Sequence, residues 1–300
     1  MTKSTFVAFG LEEFKTFIDS LSTHDFENDE IHYICIDIAN GHMKSLIDLC
    51  QNAKERFGYH VCIMTGNIAN PETYVEYAKA GIDFCRCNIG SGAMCITACN
   101  SAVYYPTASL IKEVADQRWN IEQCILASRK MGFDSCPYKS VPYIIADGGF
   151  DNYDKIIKAL ALGADYVMIG NLFAQCYEAC APIDIITCVN PEIYLQNNPI
   201  SGKNLKWIYN NQRECFEARS RVYYGMSTKR AQLETGNTIL KTSEGIERVI
   251  PVTYTLAGWT ENFIHYLRSA MSYTDSRTLQ EFKNAQYCII SQASYNAFFK

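Results

Sequence analysis

The feature that most constrains the fold is a repeated alternation of short apolar runs with helical segments. The runs are rich in β-branched and aromatic residues, and each ends in a glycine or a polar residue. We predict strands at 5–10, 31–39, 60–65, 83–89, 141–146 and 165–169. Strands that alternate with helices pair in parallel through right-handed crossovers. The pattern therefore predicts an α/β fold with parallel strands and outer helices.

Two of the intervening segments carry clear helix boundaries. In 70–81, Asn70 is a capping residue, proline follows at the first helical position, and Gly81 ends the helix. In 151–163, we expect Asp151 to be the cap and a buried apolar stripe to follow.

The residues that follow these two helices resemble each other. Gly-Ile-Asp-Phe at 81–84 and Gly-Ala-Asp-Tyr at 163–166 each lead into a predicted strand. Such an echo is typical of one βα unit recurring around a sheet.

Glycine, asparagine and aspartate cluster where the predicted strands end. These strand ends are residues 37–41, 65–67, 89–92, 147–149 and 170–171. In a parallel barrel the carboxyl ends of the strands share one face, and that face carries the chemistry. Turn formation alone explains any one of them, but the five together favour a functional face.

Composition excludes several classes of function. The net charge is −5, and no run of Lys or Arg exceeds two residues, so we expect no nucleic-acid groove. No export signal and no membrane-spanning apolar run is visible, which favours a cytoplasmic location without a membrane partner. The 14 cysteines are then expected to be reduced, and most of them to be small core residues.

The alternation of strand and helix signals weakens after Gly170. Residues 181–204 contain chain-breaking residues and predict an irregular excursion, and 225–250 predict a polar, mobile loop over the site. The tail 259–300 returns to helical spacing, with Phe263, Ile264 and Leu267 expected on one buried face.

The segment Gly90-Ser-Gly-Ala-Met-Cys95-Ile-Thr97 is the most informative for chemistry. A cysteine on a glycine-rich turn after a strand lies among backbone N–H groups, which favour the nucleophilic thiolate. In a chain with many cysteines, an ordinary structural role for Cys95 stays open on this pattern alone.

Seven ordered motifs resemble the IMP dehydrogenase/GMP reductase family. They are Asp37-Ile-Ala-Asn-Gly41, Gly66-Asn67, Ile89–Thr97, Ile145-Ala-Asp-Gly-Gly149, Val167-Met-Ile-Gly170, Tyr224-Gly-Met-Ser227 and Ser243-Glu-Gly245. The resemblance covers about 5–175 and 222–300, with apparent insertions near 115–138 and 178–220. It implies a (β/α)₈ barrel of the TIM type, a single catalytic domain over 1–300 with a mobile flap at 225–250, and an oxidoreductase of purine nucleotide metabolism.

The resemblance also implies site residues. Cys95 matches the nucleophile that attacks purine C2, and Thr97 and Glu244 match its proton relay. The positions that match substrate-binding residues are Asp147, Gly148, Gly149, Gly170, Asn171, Gly225, Met226, Ser227, Lys241, Thr242, Ser243 and Gly245. Those that match nicotinamide-cofactor contacts are Asp37, Ile38, Ala39, Ile89 and Gly90. The carbonyls of Gly90, Gly92 and Cys95 match a potassium site.

Within the family, the reductase form is favoured. Only 17 residues separate Met226 from Glu244, without the Arg-Tyr step that the dehydrogenase uses to activate water. The implied reaction is NADPH-dependent conversion of GMP to IMP and ammonia through a Cys95 thioimidate. The alternatives are an IMP dehydrogenase and a non-catalytic purine-nucleotide-binding subunit.

One departure from the family concerns the barrel itself. The strand at 5–10 matches the third barrel strand of the family, so two βα units have no counterpart. Another polypeptide could supply them, the sheet could close differently, or catalysis could be lost. The family is usually homo-tetrameric, and a complex with a second chain is the other expected assembly.

Overall fold

The structure is a computed structural model that describes residues 5–22, 30–132, 136–198, 205–234, 236, 240, 242–243 and 245–298. The account of the fold concerns these residues.

Six parallel strands form one curled sheet in which spatial order follows chain order. All six predicted strands are confirmed. They are β1 (Val7–Phe9), β2 (His32–Asp37), β3 (Val61–Ile68), β4 (Phe84–Cys87), β5 (Tyr143–Asp147) and β6 (Tyr166–Met168). The pattern correctly predicted parallel strands with outer helices, and the sheet with its helices is a partial (β/α)₈ barrel, the fold that the resemblance implied.

Helices follow most strands and cover the outer face of the sheet. Along the barrel they are α1 (Leu11–Ser20), α2 (Lys44–Phe57), α3 (Pro71–Ala80), α4 (Thr97–Ser101), α5 (Thr107–Met131), α6 (Tyr153–Ala161) and α7 (Asn171–Ala174). Toward the carboxyl terminus they are α8 (Pro191–Asn197), α9 (Lys229–Glu234), α10 (Leu256–Tyr273), α11 (Leu279–Phe282) and α12 (Gln292–Phe298). No helix in the described part of the chain is both long and apolar enough to cross a membrane.

The predicted boundaries of α3 are confirmed, whereas the cap of α6 differs by one residue. The Asn70 side chain accepts the Thr73 amide, and Gly81 ends α3 in the left-handed conformation. In α6 the cap is Asn152 and not Asp151. The Asp151 carboxylate instead pairs with Lys155 one turn later, so it is not available to the helix terminus.

The core lies between the sheet and its helices. Alternate strand residues such as Ile34, Ile63, Cys85 and Ile144 are fully or almost fully buried there. Only four of the 14 cysteines are buried, so the expectation that most are core residues is wrong.

The sequence echo corresponds to a repeated structural device. Asp83 Oδ2 accepts the amide of Ile63 at 2.7 Å, and Asp165 Oδ2 accepts the amide of Ile144 at 2.8 Å. In both units the aspartate precedes its own strand and holds the beginning of the neighbouring strand. Each carboxylate is neutralised by cations on packed helices: Lys54 for Asp83, and Arg118 with Lys283 for Asp165.

Five aromatic rings fill the inside of the curled sheet at the amino-terminal ends of its strands. This aromatic layer consists of Phe6, Tyr33, Phe84, Tyr143 and Tyr166. Phe84 lies at its centre, with ring centroids 5.4 Å from Phe6 and 5.9 Å from Tyr166, so the layer spans the interior from β1 to β6. Among the described residues, the outer edges of β1 and β6 have no strand partner.

A second, antiparallel sheet follows the barrel strands. It contains β7 (Asp184–Cys188), β8 (Ile208–Asn210), β9 (Cys215–Tyr224) and β10 (Glu247–Pro251), with β9 paired to the other three. The prediction of an irregular excursion over 181–204 is therefore wrong for β7 and α8. The Arg221 guanidinium, 2% exposed, donates to the carbonyls of Ala174, Cys176, Ala179 and Ala181, which joins β9 to the chain leaving the barrel.

The carboxyl-terminal helices confirm the predicted helical spacing in part. Phe263 and Leu267 of α10 pack against the core. Ile264 is 41% exposed, so its predicted place on the buried face is wrong. It lies one position after Phe263, which turns it about 100° around the helix toward solvent.

Candidate functional site

A cavity of about 500 Å³ lies at the carboxyl ends of the barrel strands. This volume is in the usual range for sites that bind small molecules. Its described lining residues are Asp37, Ile38, Ala39, Asn67, Arg86, Asn88, Ile89, Gly90, Ser91, Gly92, Ala93, Met94, Cys95, Thr97, Asp147, Gly148, Tyr223, Gly225, Met226 and Ser227.

Cys95 lies on the loop between β4 and α4, and its thiol faces the hydroxyl of Thr97. The two atoms are 3.2 Å apart. The loop is closed by a hydrogen bond from the Cys95 amide to the Gly92 carbonyl at 3.0 Å. Gly90 has a φ of +80°, and a side chain there would collide with Ala98 at the start of α4. Glycine at this position therefore lets the loop lie directly against the helix.

Two distant segments meet the cysteine loop. Cys95 and Gly245 form an isolated antiparallel bridge, and the Ile246 amide donates to the Met94 carbonyl at 3.0 Å. The Gly225 amide in turn donates to the carbonyl of Ile246. The chain after β9 and the chain before β10 are thus brought to the same loop.

The Asp147-Gly148-Gly149 segment packs on the other side of the cysteine loop. Both glycines have φ values above +80°, and a side chain on either would press on Ser91 or Gly92. Ser91 Oγ donates to the Asp147 carbonyl at 3.1 Å. The loops that follow β4 and β5 therefore form one continuous wall of backbone.

Arg86 of β4 joins two carboxylates at the base of the cavity. Its Nη1 is 2.6 Å from Asp37 Oδ1, and its Nε and Nη2 are 3.1 and 2.9 Å from Asp147 Oδ2. Asn67 Nδ2 donates to the same Asp147 oxygen at 2.7 Å. Burial lowers the pKa of Arg86, but the two carboxylates outweigh it, so the net shift is upward and the guanidinium stays charged.

Sequence reasoning missed Arg86, although a signal existed. Cys85 and Cys87 are completely buried on the helix side, and the strand period of two turns the residue between them to the inner face. A charged residue flanked by two small apolar ones in a strand thus points to the barrel interior.

Tyr223 was also missed. It lines the cavity from β9, and its hydroxyl lies against Gly170, so close that no side chain would fit at that position. Burial and the nearby Asp147 carboxylate raise the pKa of Tyr223, so the phenol is protonated and available as a donor.

The structure brings most of the predicted site residues together. All five positions expected to contact the cofactor line the cavity, as do Cys95, Thr97 and Gly92. Of the expected substrate-binding residues, Asp147, Gly148, Gly225, Met226 and Ser227 line it, whereas Gly149, Gly170, Asn171, Thr242, Ser243 and Gly245 lie outside its lining. Lys241 and Glu244 fall outside the described residues.

These features define a class: a parallel α/β barrel with a cysteine loop and a backbone-lined cavity at its carboxyl-terminal face. Residues 19–297 match the model of the IMP dehydrogenase / GMP reductase domain. The chain belongs to this family.

Three relatives named GMP reductase are each 27% identical to this chain. The GMP reductase of Caenorhabditis elegans is 27% identical over 281 residues, which is 93% of this chain and 65% of the relative. The GMP reductase of Onchocerca volvulus is 27% identical over 88% of this chain and 60% of the relative. The GMP reductase of Streptococcus pneumoniae (strain JJA) is 27% identical over 97% of this chain and 70% of the relative. The chain thus spans about 60 to 65% of the two nematode relatives.

Proposed function

We propose that this protein is a GMP reductase-like enzyme that converts GMP to IMP and ammonia with NADPH, using Cys95 as nucleophile. The observation that carries the proposal is the Cys95 thiol, 3.2 Å from the Thr97 hydroxyl in a cavity that also holds the Asp147 carboxylate. The relatives named GMP reductase support the reductase over the dehydrogenase.

The proposed reaction has two steps, loss of the amine as ammonia and transfer of a hydride to C2. The Cys95 thiolate adds to C2 of guanine; the C2–N bond to the exocyclic amine then breaks as that amine takes a proton through Thr97 and leaves as ammonia. We assign the other end of this relay to Glu244, whose sequence neighbour Gly245 pairs with Cys95. NADPH supplies a hydride to C2 when bound, after which the C2–S bond breaks to give IMP and the free thiolate. Positioned proton transfer of this kind is worth on the order of 10²–10⁴ in rate.

The nucleotide is held by a carboxylate and by backbone. Asp147 Oδ1 accepts no hydrogen bond from the described residues and is available to the ribose hydroxyls. We assign the 5′-phosphate to the segments of Gly148, Gly149, Gly170 and Asn171, where the Gly148 amide donates to the Met168 carbonyl at 3.3 Å and the other three backbone N–H groups would face the phosphate. The Tyr223 phenol stands beside Gly170 as a further donor. Gly225, Met226 and Ser227, with 241–245, are assigned to the base.

The residues expected to hold the nicotinamide cofactor fit such a group. Asp37 is half exposed, and its Oδ2 accepts no hydrogen bond from the described part of the chain. Ile38, Ala39 and Ile89 add apolar surface to the same wall. This wall and Cys95 share one cavity, so the cofactor is kept next to the carbon that the thiolate attacks.

A potassium ion is proposed at the carbonyls of Gly90, Gly92 and Cys95. The Gly92 carbonyl already accepts the Cys95 amide, and the other two accept no hydrogen bond from the described residues. Carbonyl oxygens are suited to hard cations. Turnover that is equal in sodium and potassium buffers would remove the ion from the proposal.

The test of the nucleophile uses two neighbouring cysteines. Cys95→Ala is expected to abolish the loss of absorbance at 340 nm with GMP and NADPH, while GMP still binds. Cys99→Ala is the matched control, because this exposed thiol on α4 does not line the cavity, and it should keep wild-type turnover. Turnover by Cys95→Ala would exclude Cys95 from the mechanism.

The same assay separates the alternatives. A gain of absorbance with IMP and NAD would identify an IMP dehydrogenase instead. If the wild-type chain binds GMP but changes the absorbance in neither assay, a non-catalytic nucleotide-binding subunit or a missing partner is favoured.

We further propose that a second chain completes the barrel by adding parallel strands to the free edges of β1 and β6. Both edges are unpaired among the described residues, and Val7 of β1 and Tyr166 of β6 are about half exposed. Open parallel edges are costly, because they leave backbone donors and acceptors without partners. The alternative assembly is the homo-tetramer that is usual in the family.

A further inference from the structure

The Arg86 guanidinium lies in the cavity and contacts two carboxylates, but the proposed chemistry gives it no role. Its side chain is 10% exposed, on the inner face of β4, below the cysteine loop. It is the single cation among the described residues that line the cavity, where it faces the two carboxylates Asp37 and Asp147.

The described donors to the Asp147 carboxylate all reach the same oxygen. Arg86 Nε, Arg86 Nη2 and Asn67 Nδ2 lie between 2.7 and 3.1 Å from Oδ2. The plane and the rotamer of the carboxylate are thereby fixed, and Oδ1 accepts no hydrogen bond from the residues that the structure describes. Two donors in a rigid fork fix a carboxylate in a way that a single point charge does not.

This arrangement suits recognition of a vicinal diol. Adjacent ribose hydroxyls must find a carboxylate in one orientation, and a carboxylate that rotates freely would lose entropy on binding. Arg86 also offsets the repulsion between two carboxylates and an incoming anionic nucleotide, which is strong in a partly buried site. The fourth strand of the network, β2, adds Asp37, which is assigned to the cofactor side.

We propose that Arg86 is a positioning residue: it orients Asp147 for the ribose of the nucleotide and joins that carboxylate to Asp37 on the cofactor side. This inference rests on the proposed function, because it takes Asp147 as the ribose-binding group. Arg86 acts through Asp147 and does not need to touch the reacting atoms.

The test compares two arginines that each pair with two carboxylates. Arg118 pairs with Glu122 and Asp165 at the amino-terminal end of the strands and does not line the cavity. Arg86→Met is expected to weaken GMP binding about tenfold or more, measured by calorimetry without cofactor, since charged hydrogen bonds are lost. Arg118→Met is expected to lower stability to urea and to leave the GMP dissociation constant unchanged.

Arg86→Lys keeps the charge but loses the fork, so an intermediate GMP affinity is expected from a variant that retains the ion pair. If Arg86→Met does not fold, the GMP affinity of Arg86→Lys tests the positioning role by itself. Wild-type GMP affinity in folded Arg86→Met, or in Arg86→Lys, would overturn the positioning role.

Failure of the proposed function would look different. If the wild-type chain binds no GMP, the assignment of the whole cavity fails. If the wild type binds GMP and both Arg86 variants bind it equally well, only the inference on Arg86 fails. In active variants the loss is expected in KM for GMP more than in kcat, because the ribose is remote from C2.

Discussion

At the scale of single residues, the contact between Gly170 and Tyr223 is a tight steric constraint. A methyl group at position 170 would collide with the Tyr223 hydroxyl. Because the backbone of Gly170 has a negative φ, the cost of a side chain there is steric and does not come from backbone strain.

We predict that Gly170→Ala lowers the free energy of unfolding by about 1–3 kcal/mol, the usual cost of overpacking. Removing the phenolic oxygen should relieve the collision, so Gly170→Ala combined with Tyr223→Phe should recover most of the loss. Urea unfolding of the two single variants and the double variant measures this coupling. Strictly additive effects would show that the two positions do not interact.

The residues that the sequence alone could predict are those that end strands. Asp37 and Asp147 are the last residues of β2 and β5, Cys95 lies on the glycine-rich loop after β4, and all three line the cavity. Arg221 could not be predicted in this way. Its burial depends on four carbonyls that lie 40 to 47 residues earlier in the chain, and no local pattern records such a contact.

At the scale of secondary-structure elements, the paired aspartates Asp83 and Asp165 connect neighbouring βα units. Burial raises the pKa of Asp165, but Arg118, Lys283 and the Ile144 amide outweigh it, so the pKa lies below its ordinary value. The ionised form of this carboxylate therefore stabilises the fold.

We predict that Asp165→Asn lowers stability by about 3 kcal/mol at pH 7, because Arg118 and Lys283 lose a buried partner. The contribution of Asp165 is present above its unfolded pKa and is lost as the pH falls through its lower folded pKa. The difference in Tm between wild type and variant should therefore shrink toward pH 3. Asp154→Asn is the control, because its pair with Lys158 is exposed and should matter little.

Helices and strands were predictable where the hydrophobic periodicity and the residues that begin or end an element agreed. The strands β1 to β6 and the helix α3 carry both signals. The antiparallel sheet was missed because β9 alternates polar with small residues, and its buried Ala218 and Ser220 give a weak hydrophobic period. Its partner β7 lies between prolines, which were interpreted as chain breaks.

At the scale of the whole molecule, the barrel is incomplete among the described residues. The free edges of β1 and β6 are the proposed attachment sites for strands of a second chain. The chain covers 65% and 60% of the lengths of two relatives named GMP reductase.

We predict that native mass spectrometry of the protein purified from its source will show a complex with a second, different polypeptide. Val7→Lys places a charge beside the free edge of β1, and should remove that polypeptide without unfolding the chain, because Val7 is 55% exposed. Lys15→Glu on α1 changes charge away from the edge and serves as control. A fully active species with the mass of this chain alone, or of four copies, would contradict the prediction.

The aromatic layer has a consequence for the pairing of the strands. Phe84, at the centre of the layer, and Arg86, at the base of the cavity, are alternate residues of β4 and share its inner face. A slip of one residue in the pairing of β4 would turn both side chains away from the interior and bring Cys85 and Cys87 into it. The apolar packing at one end of the sheet and the charged network at the other therefore depend on a single hydrogen-bonding register.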